Sequence, residues 1–541
     1  MESPQHSIAK ADEALLAELG YKQEFKRAFT PLEVFGIAFS IIGLLPSIAS
    51  VLFYAVPNGG PASMVWGWAV ASLFILCIGM SMAELGSAAP TSGGYPRMTW
   101  MNYSYTSGHH SLSSLRCRNL LSWIVGCKSF TSIVTSRTSI DWGCAVQIMA
   151  AASIGSGQTF TATSAQTFGV YVAIVLSHAV ICCLGTAVLA RLQTVYVVLN
   201  VGLCLAVMIG LPAATPKENM NSASYALANF TNLNGWPDGY AFILSFLAPS
   251  WTIGAFDSSV HISEESSNAA TAVPWAIVSA IGIAGILGWA INVSLAFCMG
   301  TDVDSLLNSP IGQPLAQIFF DRFGQNATLA LWSIVVLAQY MMGSSMVLAS
   351  SRQTFAFARD GALPFSSWLY RMNGFTKTPV NTVWFVAAIS IIFGLLSFAG
   401  PQAINAIFSL SVTALYIAYI IPIAARFAFK NDFKPGPFNL GIFSFPVAVI
   451  AVSYMFIMDI VFFFPTTPQT DVANMNYTVV VLGGILMLSI MWYYCPVYGG
   501  VHWFTGPVSN IEMLGEEGAS SIRVSVEKNV REDIVEPSVG T

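Results

Sequence analysis

The sequence predicts an all-α polytopic membrane protein of about twelve transmembrane helices, arranged as a 5+5 inverted repeat in which helices one and six are discontinuous. Three observations carry this. The 541 residues are 55% hydrophobic and only 9% charged, where soluble domains carry about 25% charged residues. Apolar runs about 20 residues long, the length that crosses a bilayer, recur along the chain. Two of those runs, the first and the sixth, carry Gly and Pro in their middles. The composition excludes a soluble core; the net charge of −5 decides little, because the position of the charges matters more than their sum, and no nucleic-acid partner is expected.

Residues 1–31 read as a polar tail, with helical periodicity over Ala9 to Phe29 (Leu15, Leu16, Leu19). The apolar runs follow at 34–57, 63–86, 119–153, 167–190, 192–213, 239–262, 273–299, 327–351, 380–400, 402–425, 442–465 and 477–499. The predicted transporter domain is therefore 32–505, with repeats at 32–213 and 239–425 and extra spans at 442–499. Residues 506–541 are polar with acidic clusters and read as a second tail.

The two interrupted runs are the most informative. Span one contains Gly43, Pro46, Ser47, Ile48 and Ala49 at mid-depth, and span six contains Pro249, Ser250, Trp251, Thr252 and Gly254. A helix broken in hydrocarbon leaves N–H and C=O groups unpaired, so the break must face protein, water or a ligand. Paired breaks in corresponding positions of two halves point to a transporter and to its binding site. Five spans separate their starts, so the second copy enters from the opposite side.

Basic residues fix the predicted orientation. Lys22, Lys26, Arg27, Arg97, Arg116, Arg118, Arg191, Arg352, Arg359, Arg371, Lys377, Arg426, Lys430 and Lys434 fall on the N-terminal side, and only Lys217 and Arg322 in the loops on the other. Positive charge collects on the cytoplasmic side, so both termini are expected there. Asn-x-Ser/Thr sequons at Asn229, Asn326 and Asn476 fall on the opposite side. The cysteines lie in or beside apolar runs without paired spacing and read as core residues. The N-terminus lacks an apolar signal core.

Several stretches together resemble the amino acid–polyamine–organocation superfamily, and its fungal amino acid/choline branch in particular, which includes GABA and choline permeases. They are Ala83-Glu84-Leu85 with Pro90-Thr91-Ser92-Gly93-Gly94-Tyr95 closing span two, and Ser139-Ile140-Asp141-Trp142-Gly143 in span three. Trp251 to Asp257 followed by His261 to Glu265 breaks span six, and Arg352 to Pro364 closes span eight. One stretch departs from the pattern. Tyr95-Pro96-Arg97, a Ser/His run at Ser107 to Ser114, and Lys128 and Arg137 stand where an apolar third span is expected. Each charge at a helix centre costs about 2.5–3.5 kcal/mol on insertion scales. The segment 95–138 therefore reads either as a polar path or as a disturbed sequence in a decayed paralogue.

The resemblance implies a secondary active permease for amino acids or related amines such as GABA, working by alternating access, proton-coupled, in the plasma or vacuolar membrane. A choline or polyamine permease and a non-transporting nutrient sensor are the alternatives. It needs no cofactor or metal, and its ligands are a small amino acid or amine, a proton and the lipid bilayer. A zwitterion's carboxylate suits the free N–H groups expected near Ser47, Ile48 and Ala49. Its ammonium suits carbonyls near Gly43 and near Ser250 to Thr252. Trp251 and Phe256 are the implied aromatic gate, able to hold choline by cation–π attraction. Intramembrane ionisable residues make Glu84, Asp257, His261, Glu264 and Arg352 candidates for coupling or gating. Asp257 reads equally as a cation or proton site and as a cap on span-six backbone, and Glu264 and Glu265 as partners of Arg352 or Arg359. No phosphate loop, paired zinc ligands or nucleophile elbow suggests an enzyme.

Overall fold

The computed structural model describes residues 4–19, 21–25, 27–93, 112–184, 186–428, 433–469, 475–504 and 506. Tyr95 to Arg97, the polar run to 111, Lys26, Lys430 and the tail from 507 lie outside these. The described residues form helices joined by loops. Nine of them are long and apolar enough to cross a membrane, from Pro31–Ala55 to Gly441–Phe463. Three further elements stand in the places of spans three, six and twelve: Leu112–Gly155, the interrupted series from Asp238 to Glu265, and Thr478–Tyr493.

Several boundaries differ from the sequence expectation for local reasons. The N-terminal helix is Pro4–Glu18. The described residues between Tyr21 and Thr30 are not helical, and Phe29 bridges to Ser266. Spans four and five divide near residue 185, not 190, as Ser164–Cys183 and Thr186–Ala214. Span eight is longer than its apolar run: Pro314–Arg359 absorbs a kink at Gly324, whose φ is 74°. Span three extends back to Leu112.

Spans one, three, six, eight and ten form the interior. Span one is almost wholly buried, and it packs on spans five, seven and eight. Span three packs against spans eight and ten. Spans four, five, seven and eleven carry more exposed apolar faces, with Leu184, Ile209, Ile286 and Phe456 outward. This separates a lipid-facing ring from a buried core that holds the polar side chains.

Candidate functional site

The first helix break is a single residue. A capping box starts the first half, Pro31–Ile42: Glu33 N–H donates to Thr30 Oγ1 at 3.4 Å and Thr30 N–H to Glu33 Oε2 at 2.7 Å. The half ends because Gly43 adopts a left-handed conformation, φ 44° and ψ 59°. Leu44–Ala55 then begins afresh. Pro46 lies in its first turn, where a missing N–H costs no helical bond, so Pro46 does not make the break. Ser47 N–H already donates to Gly43 O at 2.8 Å, and Ile48 and Ala49 sit inside the new helix. The first-turn donors left over are those of Leu44 and Leu45. This corrects the placement of the free N–H groups by about one turn. Ile42 O accepts Ser47 Oγ at 2.7 Å, and Pro46 O accepts Ser50 Oγ and Gln147 Nε2, each at 3.0 Å. Ile48 lies against Pro249 and Ala248 in a separate small cavity.

The second break is wider. Asp238–Leu244 and Leu247–Thr252 carry span six inward. Pro249, Ser250, Trp251 and Thr252 are helical, so Pro249 is not the interruption either. Residues 253–257 lose the helix, with Ala255 at φ 54°. A Cβ on Gly254 would stand 3.0 Å from Trp251 O and 3.2 Å from Ser250 O, which is why the chain turns there on glycine. Ser258–His261 resumes the path. Asp257 makes no side-chain cap on it, so its carboxylate does not act as a backbone cap; instead it lies 3.4 Å from His261 Nε2.

Ile41, in the last turn before the first break, and the second break border one small cavity of about 20 Å³. Ile41, Ser250, Trp251, Gly254 and Met342 line it, with Ser136 and Ile140 of span three and Ser411, Val412 and Leu415 of span ten. Met342 also packs on the first break, since a Cβ on Gly43 would fall 2.8 Å from its sulfur. Sequence reasoning found Ser250, Trp251 and Gly254 but not the lining from spans three, eight and ten. A run of small hydroxyls, Ser409, Ser411 and Thr413, was the available signal in span ten. Phe256 does not line the cavity; its ring packs on Tyr419 with centroids 5.7 Å apart.

The side away from the N-terminus is closed over this cavity by rings. Trp251 packs on Phe408 at 5.0 Å and donates Nε1–H to Ser139 Oγ at 3.1 Å. Phe408 also borders a larger cavity of about 470 Å³, with Ser50, Phe53, Trp142 and Asn405. One aromatic layer therefore separates the central cavity from a wide vestibule.

The N-terminal side is closed by buried charge. Arg352 Nε meets Glu265 Oε1 at 2.7 Å, and Arg359 meets Glu264 at 3.1 and 3.2 Å. Glu264 also accepts Ser92 N–H at 3.0 Å, and His261 Nδ1 lies 3.3 Å from Ser92 O. Arg426 meets Glu84 at 2.6 Å, and Glu84 accepts Ser444 Oγ at 2.7 Å. Glu84 thus ties spans two, ten and eleven together and lies away from the central cavity. The N-terminal segment seals the arrangement. Ala28 and Phe29 N–H donate to Glu265 O, and Gln23 Nε2 donates to Glu264 O at 2.7 Å. The Tyr21 ring lies 4.0 Å from the Arg359 guanidinium. Asp12 accepts Asn268 N–H at 2.8 Å at the start of span seven and pairs with Arg27 at 3.4 Å. Burial pulls the Arg27 pKa below its ordinary value against the attraction of Asp12 and its acidic neighbours.

The charges of span three are accommodated rather than exposed. Lys128 Nζ donates to Leu482 O of span twelve at 2.9 Å. Arg137 lies 3.6 Å from Asp141, one turn on, and both are fully buried. Asp141 in turn lies 3.2 Å from His178 Nδ1 of span four.

Known proteins resemble this chain over most of its length. The family model for amino acid permeases matches residues 29–486. A GABA-specific permease of Saccharomyces cerevisiae is 38% identical over 506 residues, covering 92% of this chain and 86% of its own. An uncharacterized amino-acid permease of Schizosaccharomyces pombe is 34% identical, covering 94% and 90%. Amino-acid permease 2 of Neurospora crassa is 31% identical, covering 94% and 91%.

Proposed function

The chain belongs to the amino acid permease family, and we propose that, as a carrier of amino acids, it takes GABA or a closely related ω-amino acid, moving it with a proton by alternating access. The observation that carries this is one small cavity bordered by the second helix break and by Ile41, in the last turn before the first. The second half of span one points its first-turn N–H groups, at Leu44 and Leu45, toward the break, where helix polarity favours a carboxylate. Span six ends its helical run at Thr252, where the last carbonyls and the negative end of the dipole favour an ammonium. A solute with one charge of each sign satisfies both ends. Choline supplies only the cation and leaves the donors of span one without a partner, so the structure favours the zwitterion. The likeness to a GABA-specific permease supports the same choice.

The N-terminal side faces the cytoplasm in this reading, and the conformer is outward-facing with its aromatic lid down. Glu264, Glu265, Arg352 and Arg359 form the inner gate, which must part to release substrate, and Asp257 with His261 lies just beneath the cavity. A plasma-membrane location suits an uptake carrier. The test is uptake of labelled GABA by cells expressing the full chain, with unlabelled GABA, other amino acids, polyamines and choline as competitors. Inhibition by GABA at the lowest concentration is the expected result. Inhibition by choline alone would reject the zwitterion.

A further inference from the structure

Behind span eight, on the face turned away from the central cavity, Arg137, Asp141 and His178 form a cluster that substrate recognition does not use. All three side chains are fully buried. One oxygen of Asp141 lies 3.6 Å from Arg137 Nε and the other 3.2 Å from His178 Nδ1. Span eight is shaped to admit them. A Cβ on Gly343 would stand 2.3 Å from Asp141 Oδ1 and 2.5 Å from His178 Cε1. The position before it is Met342, which touches the first helix break and lines the central cavity. On span three, Ile140 lines that cavity and Trp142 the outer vestibule, so the residues flanking Asp141 border both compartments.

We propose that this cluster is the carrier's proton-binding site, with His178 taking the proton at Nε2. The inference rests on the reading of the chain as a proton-coupled carrier. Arg137 and Asp141 cancel, so with neutral imidazole the cluster has no net charge. Neither imidazole nitrogen has a hydrogen-bond partner among the described residues; Nδ1 lies 3.2 Å from Asp141 Oδ1, and a tautomer with its proton on that side leaves Nε2 a basic lone pair. Asp141 lies between the two cationic groups, so protonation leaves the cluster with one net positive charge shared around a single carboxylate.

The groups facing it from each packed element are few. Span three adds Cys144, span four adds Tyr171 and Cys182, and span eight adds Tyr340, whose ring centroid lies 4.2 Å from the imidazole. Span nine offers no charged side chain, only Ser390 O to the Tyr171 hydroxyl. The connection to the gate runs along span four. Cys182, one turn past His178, contacts Arg352 of the Arg352–Glu265 pair. A positive charge on His178 therefore sits one helical turn from the cysteine that touches a gate arginine, and it repels that arginine in a medium of low dielectric. Protonation from the outer side thus weakens the inner lock, and release to the inner side restores it.

The test uses the full chain in liposomes, with two readouts: GABA counterflow, which needs no net proton movement, and accumulation driven by an inward proton gradient with a trapped pH dye. His178→Asn is expected to keep counterflow within about twofold of wild type, while the accumulation ratio falls to about unity and GABA-evoked acidification disappears. His178→Gln should repeat the pattern. Acidification retained in His178→Asn overturns the inference, as does parallel loss of counterflow in both variants, which marks a structural staple. Wild-type counterflow without acidification overturns it with no substitution. Absence of wild-type counterflow for GABA and for every amino acid tried overturns the transport reading itself, and this inference with it.

Discussion

The two ends of the solute path are built from different chemistry. Toward the N-terminus, two carboxylate–guanidinium pairs, Arg352–Glu265 and Arg359–Glu264, are buried and overlaid by the strap between Tyr21 and Thr30. Toward the other side, two rings and one indole hydrogen bond separate the cavity from an open vestibule. Buried ion pairs are directional: half a pair is worse than none, because the remaining charge keeps its desolvation cost. Ring contacts are graded, worth about 0.5–1.5 kcal/mol beyond the area they bury. The N-terminal end is therefore expected to behave as a lock with two positions, and the opposite end as a lid that small forces lift.

The sharpest way to break the comparison is to halve an inner pair. Arg352→Ala leaves Glu265 charged and buried, an expected loss of about 3–5 kcal/mol. Its melting temperature in detergent should fall well below that of any lid variant. The exchange Arg352→Glu with Glu265→Arg should recover part of it. An unchanged melting temperature would show that the pair is no lock.

Asp257→Asn comes next. It removes the charge beneath the cavity while preserving shape, and uptake should fall by at least about tenfold, or about 1.4 kcal/mol, with surface expression intact. Normal uptake kinetics would remove Asp257 from the working path. Gly43→Ala should be milder. The left-handed conformation costs a side-chain-bearing residue about 1–2 kcal/mol, and the new Cβ meets Met342 at 2.8 Å. Met342→Ala in the same chain should relieve the contact but not the backbone cost, so uptake should recover only in part.

Much of this design is legible in the sequence, because the strongest signals are local. Glycine at mid-membrane announces both breaks, and the acidic run at Glu264 and Glu265 announces partners for Arg352 and Arg359. The proline beside each glycine misleads, since Pro46 and Pro249 both sit in a first helical turn, where they disturb little. What the sequence conceals is pairing across distance. Lys128 and Arg137 look costly until Leu482 O and Asp141 are seen beside them, and no periodicity brings His178 to Asp141. The strap at Tyr21 to Phe29 is likewise invisible, because its bonds go to the carbonyls of residues 264–266.

The smallest expected effect tests the lid. Trp251→Phe keeps an aromatic ring over Phe408 but deletes the indole N–H that Ser139 accepts. A neutral hydrogen bond contributes about 1 kcal/mol net, so the KM for GABA should rise about fivefold, with little change in melting temperature. Ser139→Ala removes the same bond from the other side and should give a similar shift, and the double variant should add almost nothing. Full additivity would mean that the two residues act separately. Phe256→Ala supplies the contrast: its ring packs on Tyr419 outside the cavity, so it should lower stability and leave KM nearly untouched. If Phe256→Ala instead raised KM as much as Trp251→Phe does, the soft outer closure would extend beyond the Trp251–Phe408 pair, and the contrast between lock and lid would have to be redrawn around a larger aromatic layer.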